Sequence, residues 1–480
     1  MSEPDSPAKW FIDCWVAMSA LPPNVRSAAN GLSERQIRDI KAFLELDDAT
    51  AVARALVQFT IDSESRAEYV SRTLGAMTEV DELFGLVHPR NPTTPLAHIT
   101  IPNWLAEAAD SRISQGSYGA SGDFRLVARG PLTRCERTLD ASSADSLPDR
   151  YSALAVVSTK TSHGLRPIDI KHKVVSTSAI HGVAPGNAMG SERIVFLAVG
   201  QDASDLVVAG HRVGVRDFVD FRPDSKLDVA KRILEGLTAA ANADICLAPE
   251  LMVCEDHADA LSEGLRREAA TLRLFVAGSG HTRACDPTGM PWNEARVVNG
   301  AGFTLWRQRK IWPASITAET ARRLGLPVED DRNHMELNAC GDAIEVVDVD
   351  GLGRCVVLIC QDLHTSPAAR EVVEQFQPDW VFVPILDQNV DAGRWAHQQA
   401  ITYASTSPTR YLLATSSSYA LKLGQAPGGT IGLAIGPTSE GRHCASLTAH
   451  YTGSTSFAEV TWGSSCGIWK QWRIEIGPLH

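Results

Sequence analysis

The sequence has no Cys-x-x-Cys pair, and its ten cysteines are spread over 480 residues. A disulfide scaffold, a zinc ribbon and dithiol redox chemistry are therefore not expected, and each cysteine is a small core residue unless its neighbours argue otherwise. No Gly-Lys dipeptide occurs, which removes the phosphate-binding P-loop, and His-Glu-x-x-His and Gly-x-Gly-x-x-Gly are missing as well. No apolar run approaches the ~18 residues of a membrane span. The opening Met1-Ser-Glu-Pro-Asp-Ser-Pro is acidic where a secretory signal would be basic and then apolar. A cytoplasmic protein without a membrane partner is expected. Positive charge is in deficit, with Lys+Arg 45 against Asp+Glu 57 and a formal charge of −12, so a nucleic-acid partner is not expected either. Lysine is scarcest, at 10 of the 45 basic residues against 35 arginines. A lysine in a place of consequence then implies a need for a compact ammonium.

What is present is ordinary globular composition, 44% hydrophobic and 21% charged, over a length that suits two or three domains. Ser33 and Gln36 form a candidate capping box ahead of Ile37, Ile40, Phe43 and Leu44 at helical spacing. A mainly helical accessory region is expected first. Pro89, Pro92 and Pro95 interrupt it, and breaker-rich stretches continue to Gly182-Val-Ala-Pro-Gly-Asn-Ala-Met-Gly190. That places a domain boundary near residue 190, with residues 1–190 of unassigned role.

Beyond it, strands alternate with helices, the pattern of an α/β domain. Leu227, Ala230, Ile233, Leu234 and Leu237 share a helical face, and Asp244-Ile-Cys-Leu-Ala-Pro-Glu250 reads as a short buried strand ending at a carboxylate. Arg354-Cys-Val-Val-Leu-Ile-Cys360 reads as a second, ending at a thiol; Ser366-Pro367 suits the next helix start, and Asp379–Ile385 a third strand. Ligands of open α/β sheets gather at the carboxyl ends of strands. Lys310, in Phe303-Thr-Leu-Trp-Arg-Gln-Arg-Lys-Ile-Trp-Pro313, also follows a strand-like run.

Leu247-Ala-Pro-Glu250, Arg309-Lys-Ile-Trp-Pro313 and Val357-Leu-Ile-Cys-Gln-Asp362 resemble, in order, the three motifs of the nitrilase superfamily of carbon–nitrogen hydrolases. Arg394-Trp-Ala-His-Gln-Gln-Ala400, Arg410-Tyr-Leu-Leu-Ala-Thr415 and Gly428-Gly-Thr-Ile-Gly432 resemble its late helix, strand and glycine turn. The resemblance covers residues 205–465 and leaves 466–480 as a tail. It implies a four-layer αββα sandwich, a homodimer or larger homo-oligomer, and a catalytic set of Glu250, Lys310 and Cys360 working without metal or organic cofactor. Many family members add a second glutamate between the lysine and the cysteine. Glu319, Glu329, Glu336 and Glu345 lie there, and Glu319 is favoured as nearest Lys310 in a polar, loop-like stretch. Cys-Gln-Asp resembles amidase-type members more than nitrile-cleaving ones.

Chemistry gives those residue types a rationale of their own. An amide carbon resists water, and a sulfur nucleophile that forms a thioester divides one hard step into two easier ones. A carboxylate must take the thiol proton and return it to the leaving amine, which suits Glu250. An ammonium and a backbone N–H just past the nucleophile, from Lys310 and Gln361, would stabilise the oxyanion. The expected activity is hydrolysis of a small non-peptide amide. The alternatives are an acyl-transferring member of the same superfamily, or a nitrilase-like domain serving binding or assembly, with the N-terminal region contacting a protein partner. Two weaker signals are set aside. Gly463-Ser-Ser-Cys-Gly467 lacks a following acid and histidine suited to a serine hydrolase, and Glu255-Asp256-His257 reads as a helix start rather than a metal site.

Overall fold

The computed structural model describes residues 4–89, 101–130, 147–178, 180–186, 191–239, 243–267, 272–329, 331–365, 367–404, 407, 409–427, 429–438, 441–448, 456–463 and 468–475. Two compact units emerge, residues 1–160 with 172–174, and residues 161–171 with 175–480.

In the first unit the expected helices form. Glu34–Leu44 begins at a complete Ser33/Gln36 capping box, and Ala49–Ile61 and Arg66–Phe84 start on the side chains of Asp48 and Ser65. Each cap satisfies an N–H that the first helical turn leaves without an acceptor. Their apolar faces close on Phe11, Leu56, Met77, Phe84 and Trp104 in one core. Residues 101–130 and 147–160 hold more order than the nearby breakers suggested, while Pro92 and Pro95 lie outside the described residues. Helix Asn103–Gln115 is followed by a sheet of Gly119–Ser121, Phe124–Ala128 and Leu154–Ser158. Asp81, fully buried, accepts the N–H groups of Ser152, Ala153 and Leu154 at 2.8–3.0 Å, which holds the last strand onto the helices.

The second unit is a mixed α/β structure with one seven-stranded and one eight-stranded sheet. Arg193–Ala198, Ile245–Leu247 and Leu274–Cys285 run parallel at the heart of the first sheet. Gly353–Val357, Trp380–Ile385 and Arg410–Thr415 do the same in the second. These central strands are buried on both faces, as parallel strands are when helices and a second sheet cover them. Val195, Leu197 and Cys246 turn toward helices Val229–Ala239 and Glu255–Arg267 in one core cluster. Phe196, on the opposite face, abuts Gly432 of the other sheet so closely that a Cβ there would meet its ring at 2.6 Å. The two sheets thus stack face to face, the inner layers of the expected sandwich. A smaller sheet of Ser315–Ile316, His334–Glu336, Arg216–Pro223 and Leu206–Val213 completes the unit.

Two expected boundaries move. The division near residue 190 falls inside the second unit, because Lys160–His163 is an edge strand of the eight-stranded sheet and Arg166–Val175 is the strand beside it. Arg166–Val175 neighbours Ala343–Val349, more than 160 residues away in sequence, so nothing local announces it. The tail after 465 likewise contains Ile468–Glu475, a strand paired antiparallel with Ser456–Gly463. Pro367 occupies the cap of helix Ala368–Phe376 rather than its first position. Ser366, Gly428 and residues 464–467 lie outside the described residues. Among the described residues no helix is long and apolar enough to cross a membrane.

Candidate active site

Glu250, Lys310 and Cys360 each lie just beyond a strand, and all three are buried. Glu250 stands three residues past Ile245–Leu247, in a turn held by Ser279 N–H to the Pro249 carbonyl at 3.3 Å. Gly278 makes that approach possible: at φ +66 it has no side chain, and a Cβ would sit 2.1 Å from the Pro249 oxygen. Lys310 ends strand Thr304–Arg309, its N–H donating to the Asn293 carbonyl at 2.8 Å. Cys360 opens a 3-10 turn, Cys360–His364, after Gly353–Val357.

Their side chains converge. Lys310 Nζ donates to Glu250 Oε1 at 2.7 Å and to Glu336 Oε2 at 2.5 Å. Glu250 also accepts Asn293 Nδ2 at 3.0 Å and the Leu386 N–H at 2.9 Å, so its two oxygens are held from three elements. Glu336 takes a further N–H from Ala314 at 2.9 Å. The Lys310 turn is clamped to the Cys360 turn by Asp362, whose carboxylate accepts the N–H groups of Ile311, Trp312 and Ile359 at 2.9–3.2 Å.

Backbone conformation marks the same spot. Among the described non-glycine residues only Leu251 at φ +59, Cys360 at +48 and Gln377 at +44 adopt left-handed backbone. Two of the three adjoin or are members of the charged cluster. A side chain in that region costs of order 1 kcal/mol or more and persists where the surroundings hold it.

Burial and charge set the protonation states. The Cys360 thiol is pushed well above its ordinary value, by burial first and then by the Glu250 carboxylate, against the pull of Lys310. Glu250 is raised by burial and by the charge of Glu336, with Lys310 and a contact from the Cys360 thiol restraining the rise. Burial opposes the Lys310 charge, yet the two carboxylates outweigh it and hold its pKa well above the ordinary range. Burial lifts Asp362 to about 7 against Lys310 and its three N–H partners. The resting cluster is a thiol, a firmly protonated ammonium and a carboxylate more basic than usual.

Glu319 is not part of it. It is exposed in the first turn of helix Ala318–Arg323, where a negative charge suits the N–H groups. Glu336 takes the place expected of it, because strand His334–Glu336 pairs with Arg216–Pro223 and swings the later glutamate onto Lys310. Asn293, Leu386 N–H and Asp362 were also not foreseen as partners, although Asp362 lies within the third motif. Gln361 follows Cys360 directly, at the start of the 3-10 turn. Glu255-Asp256-His257 does begin a helix, Glu255–Arg267.

No family model matches the chain, and no curated protein matches it. Among solved structures it is similar to Nit3 of Saccharomyces cerevisiae, a member of branch 10 of the nitrilase superfamily (TM-score 0.38, 13% identity, 59% of this chain and 92% of that one). It is also similar to an amidase from Nesterenkonia sp. (TM-score 0.37, 16% identity, 59% and 93%). A third is the glutamine-dependent NAD+ synthetase of Acinetobacter baumannii (TM-score 0.37, 15% identity), of which the match spans 48% against 60% of this chain. The first of these matches, to a member of the nitrilase superfamily, spans 59% of this chain.

Proposed function

We propose that the second unit hydrolyses a small non-peptide amide through a thioester on Cys360. The observation that carries this reading is the closed contact of Lys310 with both Glu250 and Glu336 beside a buried thiol in left-handed backbone. A purely structural cluster has no need of such a thiol.

The reaction balances on these groups. Cys360 Sγ attacks the amide carbon while its proton passes to Glu250, whose raised pKa suits it to accept one. The carbonyl oxygen becomes an oxyanion facing the Lys310 ammonium and the Gln361 N–H. The first N–H groups of a helical turn have no acceptor within it, and fixed donors in a water-poor site stabilise developing charge strongly. The C–N bond breaks as Glu250 returns its proton to the nitrogen, and the amine leaves. Water then attacks the thioester, Glu250 takes one of its protons, the C–S bond breaks, and the proton returns to sulfur with release of the acid. Glu336 keeps the ammonium in place throughout. The Cys360 thiol never needs to ionise ahead of attack, which accords with its elevated pKa.

Turnover of a panel of small amides, carbamoyl amines and nitriles, read as ammonia release, tests the reading. Acid-quenched samples should carry an acyl adduct on Cys360 by mass spectrometry. An adduct elsewhere, or turnover that survives Cys360→Ser undiminished, overturns the mechanism.

A further inference from the structure

Beside the catalytic cluster lies a second polar group that the proposed reaction does not use. His281 stands directly opposite Asn293 across the pair Leu274–Cys285 and Pro291–Val298, and the Lys310 N–H bonds to the Asn293 carbonyl from the next strand. Residues opposite one another on adjacent strands share a face. His281, Asn293 and Lys310 therefore form a cross-strand row that ends at the catalytic ammonium. At its far end Asp220 meets His281, with Asp220 Oδ1 3.6 Å from His281 Nδ1, too long for a hydrogen bond.

Asp220 is 5% exposed, and its Oδ1 has no hydrogen-bond partner among the described residues. Its charge is poorly answered. Arg222 and His211 approach the other oxygen only at 3.6 and 3.7 Å, and both are substantially exposed, so solvent screens them. Burial lowers the pKa of His281, which leaves that ring neutral rather than a counter-ion. The row holds a second unanswered acceptor. Asn293 must turn its NH2 toward the Glu250 carboxylate, which directs Oδ1 away, and that oxygen is buried without a partner. A buried acceptor left unmatched costs ~1–3 kcal/mol. Two of them along one row call for a donor.

We propose that Asp220, with His281 and Asn293, forms a subsite at the Lys310 end of the catalytic cluster that binds a donor-rich cationic end of the substrate, a primary ammonium or a guanidinium. This rests on the amide-hydrolysis reading and narrows it to amides that carry such a group. A carboxylate and an amide oxygen, both acceptors, would repel an anionic end and leave an alkyl end unable to satisfy them.

The test compares paired amides of equal chain length, one ending in a primary ammonium and the other in a methyl group, hydrolysed by the full-length protein. A charge-assisted hydrogen bond gives the ammonium member an advantage of about tenfold or more in kcat/KM, carried by KM. Asp220→Asn should bring the ratio near parity, and Asp220→Glu should recover part of it. A wild-type ratio of one or below overturns the subsite without recourse to any variant, as does an unchanged ratio in Asp220→Asn. In both cases hydrolysis of the methyl-ended amide leaves the amidase reading standing. If neither amide turns over, the amidase reading fails, and calorimetric titration of n-butylguanidinium into the wild-type protein then decides the subsite. Binding lost in Asp220→Asn supports it, and no binding to wild type overturns it.

Discussion

Two of the ionic clusters buried in the second unit are built to opposite ends. Arg354, fully buried, sets its guanidinium on Asp348 with contacts of 2.7 and 3.2 Å and gives a third N–H to the Phe376 carbonyl at 2.8 Å. One fork meets one carboxylate, and the charges cancel. Lys310 instead shares one compact ammonium between Glu250 and Glu336, which leaves an excess of negative charge beside a thiol. The second cluster holds a carboxylate and a thiol whose pKa values burial has moved. A buried ion pair by itself therefore says little about chemistry; its charge balance, and the neighbour it leaves unsatisfied, say more.

That contrast can be broken or sharpened by substitution. Cys360→Ser should lower kcat/KM by at least ~10³-fold, because an alkoxide forms far less readily than a thiolate. Thermal unfolding of that variant should stay close to wild type. Glu250→Gln keeps the hydrogen-bonding outline but cannot accept a proton, and should cost ~10²–10⁴-fold. As the proposed proton acceptor Glu250 works as its anion, and its pKa is raised, so activity should fall with acid through a limb above the ordinary ~4.3 of glutamate. A pH–rate profile with its acid limb below that value would contradict the assignment.

Arg354→Met reverses the pattern. Removing one partner of the buried pair strands Asp348 and should cost ~3–5 kcal/mol in denaturant unfolding, with kcat of the folded protein little changed. A loss of kcat without loss of stability would erase the distinction between the clusters. Glu336→Gln should lower kcat/KM about 10²-fold through the Lys310 position, the scale of one preorganised electrostatic group. Glu319→Gln, on an exposed helix start, should change it less than about twofold.

Much of the site was legible from local signals. Glu250 and Cys360 stand out because each closes a short apolar run, and Lys310 because it follows a strand-like run in a chain where lysine is rare. Glu336 was only one of four candidates, and proximity in sequence favoured Glu319. The chain brings Glu336 to Lys310 by parallel pairing of Met335 with Phe218 and Glu336 with Val219, across more than a hundred residues. Asn293 and the Leu386 N–H escaped notice for the same reason, since cross-strand partners leave no periodic trace in either strand. In the first unit, Ser33 and Gln36 predicted their helix, while Asp81 gave no hint of the strand it holds.

Composition, the absent motifs and the three strand-ending residues were determined by the sequence itself, because they depend on residue type and spacing within one element. Only the tertiary structure decided which glutamate grips Lys310, that the 166–175 and 468–475 strands enter the large sheets, and that Asp220 meets His281 at the far end of the row leading to Lys310. Each of these depends on strand register, set by which faces can be buried together, and that is a property of the whole packed unit rather than of any segment.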